Sequence, residues 1–162
     1  YYYDISEKKH LIKPGQESFI ILDNIRKSNL VWENEEFVIE DLGDGILNAE
    51  FRSKMNSIGE GVLMGINKAI DTCEKDFKGL VISNEADYFS AGADLGTLFM
   101  LAGNRDFKKI EESIRVFQNT MMRVRHSSVP VVVATSGITL GGGCELSLHA
   151  DSIQAHMYHH YY

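Results

Sequence analysis

Gly137-Ile138-Thr139-Leu140-Gly141-Gly142-Gly143-Cys144-Glu145-Leu146, directly behind the apolar run 131–135, is the stretch whose reading decides the fold. Pro130 opens that run as a strand, and the residues from 144 to 150 are suited to a short helix. A glycine run between a strand and a helix lets the backbone come close to a ligand. It also leaves the first N–H groups of the helix without intrahelical acceptors, aimed at whatever sits there. Taken alone, Gly141-Gly142-Gly143 reads as a tight turn before a helix. A second stretch changes that reading: Phe89-Ser90-Ala91-Gly92-Ala93-Asp94-Leu95 follows another apolar run, 80–83, and is again built of small residues. Two such loops at the ends of two strands can offer one N–H each to a single oxygen, which is what an oxyanion hole requires.

Moving outward, a hairpin is predicted over 37–51, with strands 37–42 and 46–51 around Gly43-Asp44-Gly45. In its second strand Leu47, Ala49 and Phe51 alternate with Asn48 and Glu50, which predicts one buried face. Ser57-Ile58-Gly59-Glu60 has the spacing of a capping box. Ile58, Val62, Ile66, Ala69, Ile70 and Cys73 then recur at helical steps up to residue 74. A second long helix is expected from Phe107, Ile110, Ile114, Phe117, Met121 and Val124. The stretch 1–34 is polar and weakly periodic, with a turn at Pro14-Gly15 and a short helical segment over 18–27. The order of hairpin, helix, strand, loop, helix, strand, loop and helix is an α/β pattern with crossover helices.

Single residues in the two loops admit more than one role. Glu145 is either a first-turn carboxylate that complements the helix dipole or a proton-transfer group. Its neighbours Cys144, Leu146 and Leu148 are apolar, so the segment is expected to be buried, a setting that suits proton transfer. Asp94 reads as the N-cap of a helix starting at Leu95 rather than as a catalytic acid. Leu98, Phe99, Met100 and Leu101 fit the lining of an apolar ligand pocket and a core-facing helix equally well.

Composition closes off several functions. The chain has 162 residues, 44% of them hydrophobic and 24% charged, which suits one ordinary domain. A net charge of −7 without a basic stripe argues against nucleic-acid binding. No apolar run reaches the roughly 18 residues needed for a membrane span. The start, Tyr1-Tyr2-Tyr3-Asp4, lacks the charge and apolar stretch of a signal peptide, so a reducing cytoplasm is the expected location. Cys73 and Cys144 lie far apart in apolar stretches and read as reduced thiols. His156, His159 and His160 lie in a Tyr-rich terminal stretch with no evident fourth ligand, so no metal is expected. A chain that starts without Met and ends Met157-Tyr158-His159-His160-Tyr161-Tyr162 is read as cut or extended at both ends.

The two loops together resemble those of the crotonase family, the enoyl-CoA hydratases and isomerases, and the likeness runs over about residues 37–156. It is nearest to the hydratase-like region of long proteins that also carry a 3-hydroxyacyl-CoA dehydrogenase unit. The resemblance implies a ββα spiral of the ClpP/crotonase type, incomplete at the C-terminus. Residues 1–36 would then be an N-terminal arm or linker and 157–162 a tail outside the family. It implies an acyl-CoA thioester as ligand, no cofactor beyond the CoA of the substrate, trimeric or hexameric full-length relatives, and a fused or adjacent dehydrogenase unit. By motif matching, the oxyanion donors would be the N–H groups of Ala93 and Gly142, and Glu145 the first catalytic carboxylate. Asn56, Ala91, Gly92, Asp94, Leu95 and Gly141 would bind substrate. The family's second carboxylate belongs to a Pro-Glu pair, whereas here Pro14 precedes Gly15 and Pro130 precedes Val131. The expectation is a lyase hydrating trans-2-enoyl-CoA in fatty-acid β-oxidation, weak or inactive by itself. Isomerisation, thioester hydrolysis and non-catalytic thioester binding or packing are the alternatives.

Overall fold

A computed structural model describes residues 2–5, 7–11, 20, 22–156 and 160–161. The turn expected at Pro14-Gly15, the start of the 18–27 helix and Met157 to His159 of the terminal stretch lie outside the described residues. Strands β1 (Tyr2–Asp4) and β2 (Lys9–Leu11) pair with each other, and α1 is Leu22–Arg26. Strands β3 (Leu30–Glu33), β4 (Phe37–Gly43) and β5 (Ile46–Phe51) lead into α2 (Glu60–Asp76) and β6 (Gly79–Ser83). Then come β7 (Tyr88–Ser90), α3 (Leu95–Gly103), α4 (Phe107–Arg125) and β8 (Val131–Thr135). The chain continues through β9 (Ile138–Thr139), α5 (Gly142–His149), β10 (Ser152–Ala155) and β11 (His160–Tyr161).

Six strands form the main sheet in the order β10-β8-β6-β5-β4-β3. The pairings β5–β6, β6–β8 and β8–β10 are parallel, while β4–β5 and β3–β4 are antiparallel. The hairpin turns through Gly43, Asp44 and Gly45, all at positive φ. This is the α/β arrangement with crossover helices expected from the element order. Residues 30–33, read from the sequence as part of the arm, are an edge strand of the same sheet.

One face of the sheet meets α2. Phe37, Ile39, Leu47, Ala49, Leu80, Ile82, Val131 and Val133 pack against Val62, Ile66, Ala69, Ile70 and Cys73, all fully buried or nearly so. The alternating strand residues and the three- and four-residue steps of α2 thus meet in one core. The capping box is not formed. Helix α2 starts at Glu60 with Gly59 as N-cap and no side-chain cap, because Ser57 closes a 3-10 turn over Lys54–Asn56 instead. On α4 only Thr120, Met121 and Val124 are buried, while Phe107 and Ile114 are exposed, so its apolar stripe is covered only toward its C-terminal end.

The other face of β5 is also buried, contrary to the alternation. Asn48 is 0% and Glu50 4% exposed, and Glu40 beside them is 0% exposed. Buried polar groups persist where each has a partner, and here they do. Asn48 Nδ2 donates to Glu40 Oε2 at 2.8 Å, and Ser83 Oγ donates to Asn48 Oδ1 at 2.6 Å. Arg26 lies over them from α1, with its guanidinium 3.3 Å from Glu40 Oε1 and 2.5 Å from Glu50 Oε2. Burial is the main reason that the Glu40 carboxyl is pushed above its ordinary range, against the opposing pull of Asn48 and Arg26.

A small second sheet positions both glycine-rich loops. Strands β7, β9 and β11 run parallel in the order β11-β9-β7, and Ser90 stands opposite Thr139. The sequence reading treated these segments as plain loops. Their two or three residues are too few for a periodic signal, so pairing alone reveals them.

Candidate oxyanion site

The first loop is held by backbone bonds on both sides of Ala93. Ile58 N–H donates to Gly92 O at 2.7 Å, and Asp94 N–H donates to Ile58 O at 3.1 Å. Residue 93 forms an isolated parallel bridge with residue 58. In a parallel bridge the bonds run through the neighbours of residue 93, so its own N–H points to the other side. Gly92 takes φ +90°, and a Cβ there would stand 3.0 Å from Leu140 O and 3.2 Å from Gly142 N. Glycine is therefore what allows the first loop to lie against the second.

The second loop enters α5 through Gly141. Gly142 N is at the first helical position and is one of the N–H groups that an α-helix leaves unsatisfied. A Cβ on Gly142 would stand 3.2 Å from Ala93 N and 2.9 Å from the Phe117 ring. The two N–H groups predicted as a donor pair are thus neighbours across the loop contact. Neither has an acceptor among the described residues. Two adjacent unpartnered N–H groups beside a helix N-terminus make a pocket of positive potential suited to one anionic oxygen.

The other predicted residues surround this pair in different ways. Asp94 is the N-cap of α3, its carboxylate accepting from Gly96 N at 3.0 Å, Thr97 N at 3.4 Å and Thr97 Oγ1 at 2.6 Å. The Thr97 hydroxyl is the leading reason that its carboxyl is held below the usual range. Ala91 donates its N–H to Met55 O, Leu95 is 60% exposed, and Gly141 is exposed. Asn56 is buried, and its Nδ2 donates to Tyr88 O at 2.9 Å, so its side chain braces the strand before the first loop.

Glu145 departs from expectation. It lies one helical turn beyond Gly142, but it is exposed, because α5 buries Gly142, Gly143, Leu146 and Ser147 and turns residue 145 outward. Apolar sequence neighbours misled here, since on a helix adjacent residues point about 100° apart. The helix that follows the first loop is exposed as well. No residue of α3 is buried, with Phe99 76% and Met100 66% exposed, so the core-facing reading of its apolar residues does not hold.

Sequence reasoning missed Phe117 as part of this site. Phe117 was assigned to a helix stripe, and only the tertiary contact with Gly142 places it at the donor pair.

The enoyl-CoA hydratase/isomerase family model matches residues 43–159. The chain is 36% identical over 155 residues to a Bacillus subtilis protein named "Probable 3-hydroxyacyl-CoA dehydrogenase", covering 96% of this chain and 20% of that protein. It is 29% identical over 124 residues to the fatty acid oxidation complex subunit alpha of a Psychrobacter species, covering 74% of this chain and 17% of the subunit. The chain therefore spans about a fifth of these curated relatives. Human enoyl Coenzyme A hydratase domain-containing protein 3 superposes with a TM-score of 0.68 at 28% identity, covering 78% of this chain and 50% of that one. With the family's match on most of its length and the same fold, the chain belongs to the enoyl-CoA hydratase/isomerase family, the crotonases.

Proposed function

We propose that the Ala93 and Gly142 N–H groups bind the thioester oxygen of an acyl-CoA and stabilise the enolate formed when that thioester is polarised. The observation that carries this reading is the pair of adjacent N–H groups without acceptors, one on each loop. As negative charge grows on the oxygen, both hydrogen bonds strengthen, so the site favours the enolate over the neutral thioester. With a trans-2-enoyl thioester the chemistry is hydration. Glu145 takes a proton from water as the oxygen adds to C3, and the same carboxyl then returns that proton to C2 of the resulting enolate. Exposure leaves the Glu145 carboxylate open to water. The exposed apolar face of α3, which begins directly after the first loop, supplies the surface along which an acyl chain extends.

The relatives' names support a setting in fatty-acid β-oxidation beside a 3-hydroxyacyl-CoA dehydrogenase unit, whose substrate is the product of hydration. Among the described residues no helix is long and apolar enough to cross a membrane.

The test is titration of the chain with acetoacetyl-CoA, whose enolate absorbs in the near ultraviolet, alongside loss of enoyl-thioester absorbance with crotonyl-CoA. Enolate absorbance that saturates with added protein is the expected result. Turnover of crotonyl-CoA is expected to be slow, since Glu145 is the one carboxylate assigned to proton transfer. Absence of any bound enolate at millimolar ligand would overturn the proposal.

A further inference from the structure

The donor pair is only as good as the spacing between two loops that come from distant parts of the chain. One side chain bonds or touches both. Ser90 is 0% exposed, at the end of β7. Its Oγ donates to Asn56 O at 2.8 Å and accepts from Gly92 N–H at 3.1 Å. Its carbonyl accepts from Leu140 N–H at 2.9 Å. A Cβ on Gly143 would stand 2.8 Å from Ser90 Cβ, so the second loop is packed directly on this residue.

We infer that Ser90 is a positioning residue that sets the separation and aim of the Ala93 and Gly142 N–H groups. This inference rests on the proposed thioester reading of the donor pair. The hydroxyl bonds Gly92 N–H, the amide immediately before the Ala93 donor, and so fixes the peptide plane that leads to it. The Ser90 carbonyl bonds Leu140 N–H, two residues before the Gly142 donor. Asn56, which receives the hydroxyl proton, and Met55 before it sit at φ +51° and +56°, in the left-handed region that costs non-glycine residues energy. The Ser90 bond and the bond from Ala91 N–H to Met55 O are two contacts that hold this segment there. Alanine at 90 would strip a buried N–H and a buried carbonyl of their partner at once. The loops would then relax by fractions of an ångström, which an enolate senses far more than a CoA moiety bound elsewhere.

The experiment compares the unmodified chain with Ser90→Ala and Ser90→Thr, which keeps the hydroxyl. The probes are acetoacetyl-CoA, read by enolate absorbance and affinity, and free CoA, read by affinity alone. Ser90→Ala is expected to weaken acetoacetyl-CoA binding on the order of 10- to 100-fold. Free CoA should stay within about twofold, and Ser90→Thr should bind the enolate nearly as the unmodified chain does. Equal losses for both probes, unchanged enolate binding in Ser90→Ala, or a threonine variant as poor as alanine would each overturn the inference. If Ser90→Ala does not fold, amide exchange in the unmodified chain decides. Gly92 and Leu140 N–H should be protected, while Ala93 and Gly142 N–H exchange freely until acetoacetyl-CoA is added. Exchange at Gly92 as fast as at Ala93 overturns the inference. An unmodified chain that binds no enolate removes the thioester reading and this inference with it, whereas enolate binding without the Ser90 pattern removes the inference alone.

Discussion

Gly142 and Glu145 are the two residues at which substitution tests the proposed site. Gly142→Ala would place a methyl group 3.2 Å from Ala93 N and 2.9 Å from the Phe117 ring, in the space proposed for the thioester oxygen. Loss of enolate binding on the order of 10²-fold is expected, with the folded state confirmed by circular dichroism. A folded variant that binds acetoacetyl-CoA normally would remove Gly142 from the site. Glu145→Gln keeps the shape of the side chain but cannot exchange a proton as a carboxyl does. Where the chain turns over crotonyl-CoA, the rate should fall by roughly 10²–10⁴ with affinity little changed. A helix-dipole role for Glu145 would instead leave the rate unaltered. Thr139 makes a different point, for its Oγ1 is buried with no hydrogen-bond partner among the described residues. Thr139→Val removes that unpaired hydroxyl at nearly constant volume and should stabilise the fold by about 1 kcal/mol in urea unfolding.

At the scale of elements, the close fit of α2 on the sheet rests on Gly65. A Cβ there would stand 2.2 Å from the Phe37 ring, so even Gly65→Ala forces the helix or the ring to move. The expected cost is roughly 1–3 kcal/mol, as in other overpacked cores, measured as a fall in the denaturation midpoint. A neutral outcome would show that α2 sits less tightly on β4 than the structure has it. The short strands β7 and β9 matter in a different way. They have only two or three residues each, yet their parallel pairing brings residues 88–95 and 137–146 side by side and so turns two separate loops into one donor pair.

For the whole molecule, an ion-pair cluster ties α4 to α2 across the outside of the core. Arg123 Nη1 donates to Glu74 Oε1 at 2.8 Å and Nη2 lies 3.1 Å from Asp71 Oδ1, while Ser128 N–H donates to Glu74 Oε1 at 2.9 Å. Hydrogen bonding from Arg123, then from Ser128, holds the Glu74 carboxyl down at about 2 against an ordinary 4.5. A carboxyl depressed in the folded state contributes stability above its unfolded pKa and loses it as pH falls through the folded value. The contribution of Glu74 is therefore complete above about pH 4.5 and fades toward pH 2. Glu74→Gln should flatten that part of the stability–pH curve, seen as a smaller drop in melting temperature between neutral pH and pH 3. An unchanged acid slope would show that Glu74 is not one of the groups responsible. The cluster is partly solvated, so added salt should weaken it.

What the sequence by itself determined is what depends on local order. The hairpin over 37–51, the buried stripe of α2 and the capping role of Asp94 follow from periodicity and turn chemistry. The two small-residue loops were legible because their composition is unusual and each comes after an apolar run. Only the tertiary structure decided that those loops meet, since residues 92 and 142 become neighbours through parallel pairing of β7 with β9. It alone decided that Glu145 faces outward, that α3 is uncovered, and that Glu40, Asn48 and Glu50 are buried beneath Arg26. Burial and hydrogen-bond partnership are properties of what lies across the fold. An alternation of polar and apolar residues marks which side a residue points to, but not what waits there.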